Sequence, residues 1–210
     1  MLRNIKIIFE DDWLLVVNKP AGLLTVPAPV KDSRTLTDIL NKDVEERGLL
    51  YRVHPCHRLD RETSGLIVYA KGKSIQQKMM EEFKLKRVWK SYVAFAHGQL
   101  DRASGEIEFP IDGQSALTRY KILEKREGFV VLEVQPLTGR TNQIRIHFAR
   151  AGHPLVGENK YAFRRDFKLR ANRLCLHSEA LEFTHPVTRK TVSVTVDLPD
   201  DMMRFLEKHE

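Results

Sequence analysis

Two cysteines, Cys56 and Cys175, are all that 210 residues contain. That scarcity excludes a disulfide framework and suits a reducing compartment. No apolar run approaches the roughly 18 residues needed to cross a bilayer. The opening MLRNIKIIFEDDWLL carries acidic residues in its middle and no small-residue cleavage site, so it does not read as a signal peptide. The expectation is a cytoplasmic protein with no membrane partner. No Pro/Gly/Ser-rich linker, internal repeat or low-complexity stretch divides the chain. Residues 1–210 therefore read as a single domain, long enough to bury a real core. Gly-rich phosphate loops of the Walker or dinucleotide kind are missing. Ser64 lies outside any G-x-S-x-G context, which leaves serine-hydrolase chemistry without support.

What the chain does have is an uneven positive charge. Its formal net charge is +7. Between Arg140 and Arg173 stand nine Lys/Arg (140, 145, 150, 160, 164, 165, 168, 170, 173) against two acids, Glu158 and Asp166, so this window carries the whole excess. A polyanion-binding surface needs such concentration, because each neutralised phosphate releases counterions. A solvated charged face is the alternative. Within the window, Phe163 to Arg170 interleaves aromatic and basic residues, which fits stacking and backbone contact with RNA or an amphipathic surface element.

Periodicity gives the scaffold. Residues 5–24 read as two short strands around Glu10-Asp11-Asp12, the second ending in a Lys19-Pro20-Ala21-Gly22 turn. Leu36, Ile39, Leu40 and Val44 predict a helix over 35–47. Gly65–Ala70 is a buried strand, and 74–86 a helix with Ile75, Met79, Met80 and Phe83 on its packed face. Further strands fall at 92–96, 116–123, 129–134, 174–183 and 191–196. Thr141 is the expected cap of a short helix through Phe148, and a last helix closes the chain. Many strands and few helices predict an α+β fold with a mixed, largely antiparallel sheet flanked by helices and loops.

The stretch His57 to Lys71, HRLDRETSGLIVYAK, is the most informative. It sets Arg58 and Arg61 on either side of Asp60, then leads through Thr63-Ser64-Gly65 into the buried strand. A loop resting on a rigid strand holds a reactive side chain steadily. Flanking guanidinium groups favour an ionised carboxylate. Read alone, Asp60 could equally pair with an arginine or cap a turn. His54-Pro55-Cys56-His57 offers three potential metal ligands, but without the paired tetrahedral spacing of a zinc site, so no metal is expected.

HRLDRETSG resembles the signature of the RluA-type pseudouridine synthases, and the resemblance continues in order. Val17 to Leu23 (VNKPAGL) resembles that family's first motif, and Lys90-Ser91-Tyr92-Val93-Ala94 its tyrosine segment. Leu137 to Tyr161 resembles the third motif, and Leu176-His177-Ser178 with Phe183-Thr184-His185-Pro186 the closing strand and turn. The matches span roughly residues 13 to 187.

The resemblance implies isomerisation of uridines in structured ribosomal or transfer RNA, with the target base flipped out. It implies no cofactor and no obligatory protein partner. Asp60 corresponds to the catalytic carboxylate, acting as a nucleophile at ribose C1′ or as a base at C2′. Arg58 corresponds to the arginine that enters the RNA as the nucleotide leaves the stack. Tyr92 corresponds to the tyrosine lying against the flipped base, and Arg145 to the arginine paired with the catalytic aspartate. Arg140, Gln143 and Lys19 are candidates for substrate or structural contacts.

This chain departs from the family pattern at Asn142, where His is usual, and at Gly157-Glu158, where Gly-Asp is common. The first motif begins within the first twenty residues, so no N-terminal RNA-binding domain is expected and recognition falls to the catalytic domain. Two rival readings stay open: an RNA-binding assembly module that does not need Asp60, and a nucleosidase using Glu62 as a second carboxylate.

Overall fold

The computed structural model of the chain describes residues 5–27, 34–162 and 169–209. In chain order the elements are β1 (Lys6–Glu10), β2 (Leu14–Lys19), α1 (Leu36–Glu46), β3 (Val53–Pro55), β4 (Ser64–Lys71), α2 (Lys73–Lys84) and β5 (Trp89–His97). They continue with β6 (Ser104–Glu108), β7 (Leu117–Arg126), β8 (Phe129–Pro136), α3 (Gln143–Arg150), β9 (Leu176–Thr184), β10 (Thr191–Thr195) and α4 (Asp200–Lys208). Among the described residues ten strands and four helices, with strand pairing mainly antiparallel, make the α+β fold that the sequence predicts. Contacts divide the chain into two compact units, one of residues 1–89 and 180–196, the other of residues 90–179 and 197–210.

In the first unit β4 is the central strand. It pairs antiparallel with β2, from Leu14↔Ala70 to Lys19↔Gly65, and near its far end with β3. Its pleat sends Leu66, Val68 and Ala70 to one face. There they meet Leu14 and Val16 of β2 and Met79 of α2, all fully buried. Ile75 and Phe83 pack against the same cluster, but Met80 is half exposed, contrary to the sequence expectation. One residue on from Met79 turns the side chain about 100° around the helix, away from the sheet. Thr35 caps α1 with a capping box: the Asp38 N–H donates to the Thr35 hydroxyl (3.2 Å), and the Thr35 N–H donates to Asp38 Oδ2 (3.0 Å).

The second unit is built on β6-β7-β8-β5, each pairing antiparallel. Val93 and Phe95 on β5 share a face with Phe129 and Val131 on β8, and α4 seals it with Met202 and Phe205. The opposite face carries Tyr92, Val134 and Tyr120 in cross-strand register. Tyr120 meets Phe148 of α3 edge-on at 5.9 Å, so α3 covers that face. The α3 cap differs from expectation: Asn142, not Thr141, precedes the helix, in the left-handed region (φ 54°), and the helix runs on to Arg150. Asn tolerates that conformation better than a β-branched Thr, which explains the shift. β3 and β6 were not foreseen.

Candidate active site

The loop 57–63 runs into β4, and successive side chains take different roles. Leu59 is buried, while Arg58 is exposed and makes no ion pair among the described residues. His57 Nε2 accepts the Val68 N–H (3.0 Å), and its ring lies 4.6 Å from Phe83. Asp60 itself is half-buried.

The main chain on either side of Asp60 is gripped at several points. Thr25 Oγ1 donates to the Leu59 carbonyl (3.0 Å) and accepts the Leu59 N–H (3.3 Å). The Arg61 carbonyl accepts the Gly22 N–H (2.7 Å), and Arg61 Nε donates to the Gly22 carbonyl (3.0 Å). Gly22 has φ 84°, the conformation that turns the 19–22 segment to meet the loop and that glycine adopts without strain. Lys19, wholly buried, donates through Nζ to the carbonyls of Pro20 (3.0 Å), Leu23 (2.8 Å) and Arg61 (3.3 Å). These bonds tie the 19–23 segment to the loop that carries Asp60.

In the second unit the clamp is ionic. Arg145 on α3 and Glu158 are 3% and 1% exposed in their side chains. Arg145 donates through Nε to Glu158 Oε2 (2.7 Å) and through Nη2 to Oε1 (2.8 Å). Glu158 Oε1 also accepts the main-chain N–H groups of Asn159 (2.9 Å), Lys160 (2.8 Å) and Tyr161 (3.3 Å). Burial alone would raise its pKa, but the Arg145 contact and these donors outweigh it and hold the carboxyl below the usual range. Gly157 precedes it at φ 80°, where an added Cβ would strike the Arg173 carbonyl, so no other residue fits. Arg145 Nη1 donates to Asn142 Oδ1 (3.1 Å), Asn142 Nδ2 donates to the Tyr161 hydroxyl (2.9 Å), and the Tyr161 ring lies 5.3 Å from the guanidinium carbon.

Gln143 is spent within the protein. Its Oε1 accepts from Thr138 Oγ1 (2.6 Å) and the Arg140 N–H (3.0 Å), and its Nε2 donates to the Leu117 carbonyl (2.9 Å) and Thr118 Oγ1 (3.0 Å). That fills the amide, so Gln143 shapes the entry to α3. Half-buried Arg140 donates from Nε to the Ser115 carbonyl (3.1 Å). Tyr92 is buried on the face of β5 that α3 covers, the side on which Tyr120 meets Phe148.

Of the remaining candidates, His54, Cys56 and His57 diverge. Cys56 joins the core, where burial pushes its thiol up to about 12, and His57 is committed to Val68. Among the described residues no group of three His, Cys, Asp or Glu is placed to hold a metal, and no helix is long and apolar enough to cross a membrane. Most of the Phe163–Arg170 run, with Arg164, Arg165 and Lys168 of the basic window, lies outside the described residues. Sequence reasoning missed Thr25 and Tyr161. Neither has a local signal, since each acts on a residue many positions away.

Comparison with known proteins bears on all of this. The sequence model of a family described as RNA pseudouridylate synthase matches residues 13–150. An uncharacterised RNA pseudouridine synthase of Bacillus subtilis, YlyB, is 34% identical over 97% of this chain and 72% of its own length. The dual-specificity RNA pseudouridine synthase RluA of Haemophilus influenzae is 32% identical over 89% of this chain and 90% of its own. Among solved structures, the human RNA pseudouridylate synthase domain containing 4 superposes with a TM-score of 0.81 at 26% identity, covering 96% of this chain and 92% of that one.

Proposed function

The chain belongs to the RNA pseudouridylate synthase family, whose members are isomerases, and from that premise we propose that it converts specific uridines of ribosomal or transfer RNA to pseudouridine with Asp60 as the essential carboxylate. The observation that carries the reading is the double pinning of the main chain around Asp60: Thr25 holds Leu59 on one side, and Gly22 with Lys19 holds Arg61 on the other. Catalysis by a carboxylate depends on a fixed approach to the reacting atom, and that requires an immobile backbone.

The chemistry uses side chains only. Asp60, as nucleophile at C1′ or base at C2′, lets the N1–C1′ bond break. The freed uracil turns and C5 bonds to C1′, displacing the Asp60 carboxylate in the first route or with C2′ regaining its proton in the second; the C5 hydrogen leaves to solvent and N1 takes up a proton. Arg58, exposed and without an ion pair among the described residues, is suited to enter the space the uridine vacates, because a planar cation stacks on bases. Tyr92 is assigned to the flipped base and Arg145 to holding the reacting groups in place. Lys19 and Gln143 act as positioning residues, because their polar atoms bond to the protein's own carbonyl and hydroxyl groups. One relative is named a dual-specificity RNA pseudouridine synthase, and the target proposed here is ribosomal RNA, transfer RNA or both.

The test is tritium release from unmodified ribosomal and transfer RNA labelled at uridine C5, comparing wild-type protein with Asp60→Ala. Bond formation at C5 must expel that hydrogen. Release that depends on Asp60 supports the isomerase, and the pool that supports it narrows the substrate. Tight, salt-sensitive binding without release from either pool would favour the assembly-module reading; release of free uracil would favour a nucleosidase.

A further inference from the structure

A buried arginine needs one good counter-ion to be tolerated, yet Arg145 is held on three sides. Glu158 takes its Nε–Nη2 edge in a two-bond fork, the Asn142 carboxamide takes Nη1, and the Tyr161 ring lies against the guanidinium. The three holders are themselves linked. The Tyr161 hydroxyl accepts from Asn142 Nδ2, and the Tyr161 N–H donates to Glu158 Oε1. The carboxylate is fixed in turn by the N–H groups of Asn159 and Lys160. Asn142 adopts a left-handed conformation as it caps α3 while reaching both partners.

Stability is a weak reason for such an arrangement. A buried ion pair roughly breaks even against well-packed apolar residues, because desolvation offsets the attraction. What the three-sided hold does accomplish is a fixed orientation: the guanidinium can neither rotate about its last bond nor slide towards another acid. A planar donor fork is useful in catalysis only when its direction is fixed. We infer that Glu158, with Asn142 and Tyr161, is a positioning device that fixes the orientation of the Arg145 guanidinium for the isomerase reaction. The inference rests on the reading that Arg145 acts in the site. Glu158 also keeps Arg145 charge-balanced, so its carboxylate is required as well as its shape.

The experiment measures steady-state tritium release by the full chain on the labelled RNA that wild type uses, alongside RNA affinity and thermal melting. Glu158→Gln keeps the shape and removes the charge. It is expected to lower kcat by about 30-fold or more with KM and RNA affinity within about threefold of wild type, because misdirection of a catalytic group appears in the transition state and not in substrate binding. Glu158→Asp, which restores the charge one methylene short, is expected to recover part of that loss.

Should Glu158→Gln fail to fold, Asn142→Gly and Tyr161→Phe decide the matter. The first keeps the left-handed backbone and removes the carboxamide; the second removes only the hydroxyl. Each is expected to lower kcat by about fivefold at unchanged KM. Variants that melt earlier but keep wild-type kcat per folded molecule would overturn the inference and leave a merely structural ion pair. Arg145→Lys separates the two levels: if it too retains wild-type kcat, the assignment of Arg145 to the site fails; if it loses kcat while the other variants keep theirs, only the positioning role fails.

Discussion

The two units immobilise their key side chains by opposite means. In the first, the loop carrying Asp60 is held through its main chain, by one threonine hydroxyl, one buried ammonium and a reciprocal pair of bonds between Gly22 and Arg61. In the second, Arg145 is held through its own charged head by Glu158, Asn142 and Tyr161. The difference follows from chemistry. An aspartate is short, so fixing its backbone fixes its carboxylate within one rotamer choice. An arginine has four rotatable bonds before its planar head, and only contacts at the head can fix its direction.

The contrast has measurable consequences. Lys19→Met would leave the Pro20 and Leu23 carbonyls without their donor and the Arg61 carbonyl with the Gly22 N–H alone, at a cost of about 3 kcal/mol, since an orphaned buried acceptor costs roughly 1–3 kcal/mol. Hydrogen exchange is expected to quicken around residues 20–25 and 58–63 and to stay unchanged along α3. Equal loosening of α3 would mean that the two holds are not independent.

A smaller effect separates the second unit by pH. His177, wholly buried on β9, has its pKa pushed down to about 4 by burial and then by the charge of Arg173. A base depressed on folding is charged first in the unfolded chain. The stability it contributes is therefore complete above its ordinary value of 6.5 and is lost as pH falls towards about 4. Over that window the loss is roughly 3 kcal/mol at most. His177→Gln is expected to flatten the acid slope in denaturant titrations between pH 6.5 and 4; an unchanged slope would place its cause elsewhere. At the low end, Thr35→Ala removes one half of the α1 capping box and is expected to cost about 1 kcal/mol in thermal or urea melts, with kcat untouched.

These same contrasts mark where the sequence was readable. Periods of two and 3.6 gave β2, β4, β5, β8, α1 and α2 nearly to their ends, because each buries a continuous apolar stripe. β3 is three residues, and β6, SGEIE, buries one side chain, so neither carries a period. Met80 was misplaced because two adjacent methionines look alike in sequence although the helix turns one outward. The loop that carries Asp60 was legible as a candidate site because HRLDRETSG is contiguous. The clamp on Arg145 was not: Glu158 and Tyr161 lie 13 and 16 positions away, and a bond between side chains so far apart leaves no local trace. Asn142 and Glu158 showed only as departures from a resembled pattern, and their joint meaning needed geometry.

Single-turnover tritium release by Asp60→Asn, with RNA affinity measured in parallel, bears on the whole account. Asparagine keeps the size and the pinned loop and removes only the charge. The expected result is a loss of at least about a thousandfold in rate with affinity within a few-fold of wild type, as for removal of a covalent or proton-transfer group. Release within tenfold of wild type at equal affinity would contradict the assignment of Asp60 as the essential carboxylate.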